Sequence, residues 1–266
     1  MRLAQFFAGV FQSLPRCVHQ IHLSSRVPKM PPPFKGKPSL AEAKERLSRA
    51  GEHLDELKRA IEPIKFKLTH QQSQKFDTGH MEVMIFSPPE VPPRIGTIIG
   101  DVCYNLRAAL DYLVFNLSAH DSGLDYQGTQ FPIENRPKDF RYRVEARGLL
   151  GGMNPSHRAL IEGLQPYKGC DWAKTLKMVS NPDKHRNLTP VQAGTEPPRM
   201  SGPATDLVEA GSPEVSAKIF AGTKMQADVT VATKITFADG LPVVQTLEEI
   251  QTQIASTLDA FQPEFE

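Results

Sequence analysis
The chain reads as an α+β domain: a helical bundle with a small antiparallel β-sheet and a C-terminal helix. Three observations predict this. Ile95, Ile98, Ile99, Val102, Leu106, Ala109, Leu110, Leu113 and Leu117 recur at the i, i+3, i+4, i+7 spacing of a helix with one buried face. Ala43, Leu47, Ala50, Leu54, Leu57, Ile61, Ile64 and Leu68 alternate steps of four and three, which is a heptad seam. Val229, Val231, Thr233, Ile235 and Phe237 alternate with polar residues at the period of a half-buried strand.

Residues 1–38 contain no Asp or Glu, several Arg and Lys, and the short apolar run LAQFFAGVF. They are expected to be a disordered or targeting extension, or translation upstream of a natural start at Met30. An Arg-rich, acid-poor segment fits a transit peptide better than a signal peptide. PPPFKGKP (31–38) reads as a linker, and 39–266 as a single domain, helical over 39–186 and β-rich over 187–266.

Ser39-Leu-Ala-Glu42 reads as a capping box opening a helix over 39–70, with Pro63 expected to kink or end it near Glu62. HMEVMIF (80–86) reads as a strand. The central helix spans 92–119, starting at Pro92-Pro93. HDSGLDYQGTQ is a loop, FPI (131–133) an apolar plug, and 138–147 a charged helix broken by GLLGG (148–152). Those glycines lack dinucleotide-loop spacing and carry no phosphate role. Asn154-Pro155 caps a short helix, and Asp171 opens another that should end at Asn181-Pro182. The cluster Asp183, Lys184, His185 and Arg186 then falls on the exit loop. Residues 215–221 and 227–237 read as a β-hairpin, and Thr246-Leu-Glu-Glu249 as the cap of a final helix with Leu247, Ile250, Ile254, Leu258 and Phe261 inward.

The 266 residues carry a formal net charge of +1, which removes the bulk basic excess of many nucleic-acid and membrane-surface proteins but not a local basic patch. Cys17, Cys103 and Cys170 are odd in number and far apart, without C-x-x-C or zinc-type spacing, so reduced thiols and a cytoplasmic setting are expected. No apolar run is long enough to span a bilayer, so no membrane partner is expected. Phosphate-loop, nucleophile-elbow, H-E-x-x-H and calcium-loop motifs are all missing, and neither cofactor nor metal is expected.

Two polar clusters remain. Lys184, His185 and Arg186 supply a point cation, a group titrating near neutral pH and a bidentate donor, with Asp183 able to orient the histidine; the set suits a phosphate or carboxylate. The bland alternative is a charged loop in which Asp183 bonds its own backbone. On the central helix, Asn105 sits beside the core, where its amide must find partners, while Arg107 and Asp111 lie four apart and can form an exposed ion pair worth a few tenths of a kcal/mol.

NLRAALDYL (105–113), FPI (131–133), LQPY (164–167) and SNPDKHR (180–186) together resemble a widespread, uncharacterised family of bacterial and phage-borne proteins. That family pairs an N-L-R-x-A-L-D-H helix with an N-x-D-K-H-R loop. The resemblance covers roughly residues 90–190 and implies no known activity. A looser resemblance is to the HEPN ribonucleases, whose R-x4-6-H motif cleaves RNA without metal. Arg107 stands at the motif's arginine and Asn105 at its preceding polar residue, but Tyr112 stands at the histidine, about 140° from Arg107 on a straight helix.

The leading expectation is a non-catalytic module binding an anionic ligand or RNA through Asn105, Arg107, Asp111, Asp183, Lys184, His185 and Arg186. The first alternative is a metal-independent HEPN-like endoribonuclease with His185 as acid/base. The second is a structural homodimer through the heptad seam, which requires Leu47, Leu54 and Ile61 to be exposed in the monomer.

Overall fold
The fold is that of a computed structural model describing residues 30–65, 67–76, 79–87, 89–185, 191–195, 199–201, 215–221, 228–230 and 233–266; of 181–185 and of most strand residues only the backbone is described. The chain divides into Met1–Met30 and Pro31–Glu266, and the bundle belongs to the second unit. The expectation for residues 1–29 lies outside the described residues.

The segment at 31–38 is not a free linker. Phe34 N donates to Gly123 O at 2.9 Å, Asp125 N donates to Pro32 O at 2.8 Å, and the Phe34 ring meets Phe115 edge-on. A prolyl-rich stretch needs few backbone partners of its own, so these two bonds and one aromatic contact hold it.

Helix α1 (Ala41–Ile61) follows, ending at Glu62 as Pro63 predicts. The expected capping box does not form: Leu40 occupies the N-cap position without a side-chain bond, and Ser39 N instead donates to Asn116 Oδ1 at 3.0 Å. Strands β1 (Lys67–Phe76) and β2 (Gly79–Ser87) come next, so strand begins where the sequence predicts a continuing helix. They pair antiparallel from Lys67↔Ser87 to Phe76↔Gly79, with an irregularity at Leu68/His70.

Helix α2 (Pro93–Ser122) is the hub, ended by Gly123 in the left-handed conformation. Leu106, Ala109, Leu110, Leu113, Val114 and Leu117 are fully buried along it. Short helices α3 (Pro137–Glu145) and α4 (Pro155–Gly163) follow; Asn154 caps α4 by accepting the backbone N–H of His157 at 2.8 Å, as expected. Between them, Gly152 (φ +75°) lies where an added Cβ would come within 2.6 Å of the Tyr126 ring. The GLLGG glycines therefore serve a turn and a close packing contact.

Helix α5 (Asp171–His185) runs past Asn181-Pro182. The bias of a pre-proline residue against helix is a preference, and here one further turn is added. Strands β3 (Val191–Thr195), β4 (Arg199–Ser201), β5 (Val215–Ala221), β6 (Asp228–Thr230) and β7 (Thr233–Phe237) precede α6 (Val243–Phe261), and a 3₁₀ turn, Gln262–Phe265, closes the described chain. The expected hairpin of 215–221 with 227–237 is not the pairing found. β5 adds to β2 to make the sheet β1-β2-β5, β3 pairs β7, and β4 pairs β6. The rule that neighbouring strands pair fails because the partners of β5 and β7 come from earlier in the chain. Helix α6 starts three residues before Thr246, which is buried rather than capping.

In the bundle α1 packs on α2, and α6 packs on both, with α5 against α2 and α6. The five inward residues read from the sequence of α6 are all buried. The heptad seam of α1 is filled within the chain: Leu54 is 2% exposed, Leu57 is fully buried, and Leu47 and Ile61 are half-buried against the core. The exposure that a dimer through this seam requires is therefore missing. No described helix is long and apolar enough to cross a membrane.

Candidate functional site
The site is built around the apolar plug Phe131-Pro132-Ile133 and Glu134. This strap lies outside any sheet, yet its buried backbone polar groups still need partners. Side chains supply them. Phe131 N donates to Asp111 Oδ1 at 2.8 Å, and Arg107 Nη2 donates to Phe131 O at 3.2 Å. Gln165 Nε2 donates to Pro132 O at 2.9 Å, and its Oε1 accepts Glu134 N at 3.0 Å. Lys177 Nζ donates to Ile133 O at 2.6 Å. Thus α2, the turn after α4, and α5 together take the place of a neighbouring strand. The NLRAALD, FPI and LQPY segments are bound into one arrangement.

Above the strap lies a cleft of ≈ 150 Å³ bordered by Arg107, Glu134, Arg143, Lys177 and Ser180 as well as the strap itself. Among the described lining residues Glu134 is the only carboxylate, and it is held from two sides: Arg143 Nε donates to Oε1 and Lys177 Nζ to Oε2, each at 3.1 Å. Arg107 is largely withdrawn from water. Burial pushes its guanidinium pKa down, while the carboxylates of Asp111 and Glu134 favour its charged form. Its Nε is buried without a hydrogen-bond partner. The expected exposed Arg107/Asp111 ion pair is therefore corrected: both residues grip Phe131 and sit half-buried against it.

The other predicted residues fall as follows. Asn105 does not reach the cleft. Its Nδ2 donates to Asp101 O at 2.9 Å, and its Oδ1 accepts from Arg46 of α1 at 3.4 Å. Residues five apart on a helix diverge, and the motif positions Arg107 and Tyr112 do so here: Arg107 meets the strap, whereas Tyr112 stacks under Arg46 at 5.7 Å. Asp183, Lys184 and His185 lie on the last turn of α5 rather than on a loop, with side chains outside the described residues; Arg186 lies wholly outside them.

Sequence reasoning missed Glu134, Arg143, Gln165, Lys177 and Ser180. Lys177 and Ser180 stand three apart on α5, a spacing that puts them on one face once a helix is read there. Gln165 was visible only as part of LQPY.

A second polar cluster was also missed. Asp121, at the end of α2, accepts from Asn154 N at 2.8 Å and lies 2.9 Å from His157 Nδ1; His120 Nδ1 is 3.2 Å away, and Glu264 faces His157 Nε2 at 3.3 Å. These side chains tie the ends of α2 and α4 to the closing 3₁₀ turn. Among the described residues, no group of three or more His, Cys, Asp or Glu is arranged to hold a metal ion. Compared with known proteins, the chain matches no family model, no curated protein and no solved structure.

Proposed function
We propose that the protein is a non-catalytic binding module whose cleft over the 131–134 strap takes a ligand through a phosphate or carboxylate group. The observation that carries this reading is the buried guanidinium of Arg107, with one donor unpartnered, beside a cleft that Arg143 and Lys177 also border. Three cations to one carboxylate among the described residues leave this lining positive. A guanidinium and an ammonium converging from different elements suit an oxyanion.

Glu134 is the resident acceptor for two of these cations. A ligand oxyanion would compete with it or share its donors. At ≈ 150 Å³ the cleft has room for a phosphate-sized group.

The test is calorimetric titration of wild type and Lys177→Met with inorganic phosphate, citrate and a short unstructured RNA at fixed ionic strength. Saturable binding of phosphate or citrate, weakened about tenfold by the substitution, is expected, since a charge-assisted bond contributes ~1.5–3 kcal/mol. RNA bound far more tightly than either small anion would make a nucleic-acid backbone the ligand. Binding of none of the three would overturn the reading.

A further inference from the structure
A second cleft lies between the first turns of α5 and the start of α6, with chemistry opposite to the first. Asp171, Trp172 and Thr175 border it from α5, and Glu249 and Gln253 from α6, with Ile250 at its floor; its volume is ≈ 550 Å³. The sequence explains why these side chains meet. Positions 171, 172 and 175 share one face of a helix, as do 249, 250 and 253, and α5 packs on α6.

The volume lies within the ~300–1,000 Å³ of small-molecule sites. The lining carries two carboxylates and no Lys, Arg or His among the described residues. Gln245 Nε2 donates to Glu249 Oε1 at 2.9 Å and so steadies that carboxylate. Trp172 is half-buried against the core and borders the cleft. Cys170 Sγ donates to Gly163 O at 3.5 Å, and burial, with Asp171 beside it, pushes its thiol pKa up, so the cleft has no thiolate at neutral pH. An indole and two carboxylates on one lining attract an organic cation, through the ring's quadrupole and through charge.

We infer that this cleft binds a small organic ammonium ion, seated against Trp172 with Asp171 and Glu249 as its counter-charges. The site is independent of the anion cleft. An amine- or quaternary-ammonium-bearing metabolite is the class of ligand it fits.

Trp172 is the only tryptophan in the chain, so its emission reports on this cleft alone. The experiment titrates the full chain with choline, and separately with its neutral isostere 3,3-dimethylbutan-1-ol, at constant ionic strength, while following that emission. Choline should give a saturable change. The neutral isostere, and choline with Glu249→Gln or Asp171→Asn, should each bind about tenfold more weakly, because each change removes one charge of the cation–carboxylate pairing. Two exposed-residue variants guard against a folding defect in either one. No saturable change with choline, or an equal response to the uncharged isostere, overturns the inference.

Discussion

Asp111 and Phe131 are joined by a 2.8 Å hydrogen bond in which the backbone N–H of Phe131 donates to the carboxylate. Arg107, one helical turn earlier, donates to the carbonyl of the same residue at 3.2 Å. One residue is thus held at both its polar groups by two side chains of α2. Removing one acceptor from a buried strap strands a donor, which costs ~1–3 kcal/mol. Asp111→Ala should lower the urea unfolding free energy by about that much, and Asp111→Asn, which keeps an oxygen, by less. Equal stability of Asp111→Ala and wild type would show that the strap does not depend on this bond.

Gln165 is fully buried and satisfies three backbone groups: Pro132 O, Ile161 O and Glu134 N. Gln165→Leu keeps the volume and loses all three bonds. Because each stranded group costs ~1–3 kcal/mol and the strap can relax in part, a loss of about 2–4 kcal/mol is expected. Weakened phosphate binding should accompany it, since the strap forms the cleft floor. A thermal melt coincident with wild type would contradict this.

The Asp121 cluster makes stability depend on acid. Burial pushes the Asp121 carboxyl pKa up, but the N–H of Asn154 and the imidazoles of His157 and His120 together outweigh burial and hold it below its usual 3.8. A carboxyl with a depressed folded-state pKa stabilises the fold fully above the unfolded value and loses that contribution as pH falls through the folded one. The contribution of Asp121 should therefore be complete at about pH 5–7 and decline below about pH 4. Urea midpoints for wild type and Asp121→Asn should differ at about pH 7, with the gap narrowing below about pH 4. A gap independent of pH down to about 3 would rule out this linkage.

Asn116 shows how a polar residue is accommodated on a buried helix face. It is 5% exposed, donates to Tyr112 O at 2.9 Å and accepts Ser39 N at 3.0 Å. Asn116→Leu should strand that N–H and cost ~1–3 kcal/mol. It should also raise hydrogen exchange at Ser39. Unchanged exchange there would contradict the assignment.

Much of the helical architecture was legible because periodicity reports burial directly. The apolar positions of α2 and α6 predicted from sequence are buried, and Pro63, Asn154 and Asp171 mark helix ends where expected. Capping was read less well. Ser39 and Thr246 stand in good cap patterns, but tertiary partners claimed them: Asn116 bonds the backbone of Ser39, and the core buries Thr246. Strand pairing was not legible, because β5 joins β2 across more than a hundred residues.

The candidate site was half legible. Arg107 and Asp111 stood out as charges on an apolar helix. Their partner was invisible, since nothing in the spacing ties position 107 to a strap 24 residues away. Asn105 was singled out for the right reason, a buried amide needing partners, but it found them on α1 and in its own helix.

The most direct measurement for the binding account is the phosphate affinity of Glu134→Gln beside wild type, by calorimetry at low salt. The substitution keeps the shape of the side chain and an acceptor oxygen but removes the negative charge that now occupies Arg143 and Lys177. Tighter binding, by about tenfold, is predicted, because a competing charge is removed from beside the oxyanion. Unchanged or weaker binding would mean that the anion does not use these cations, and would contradict the account.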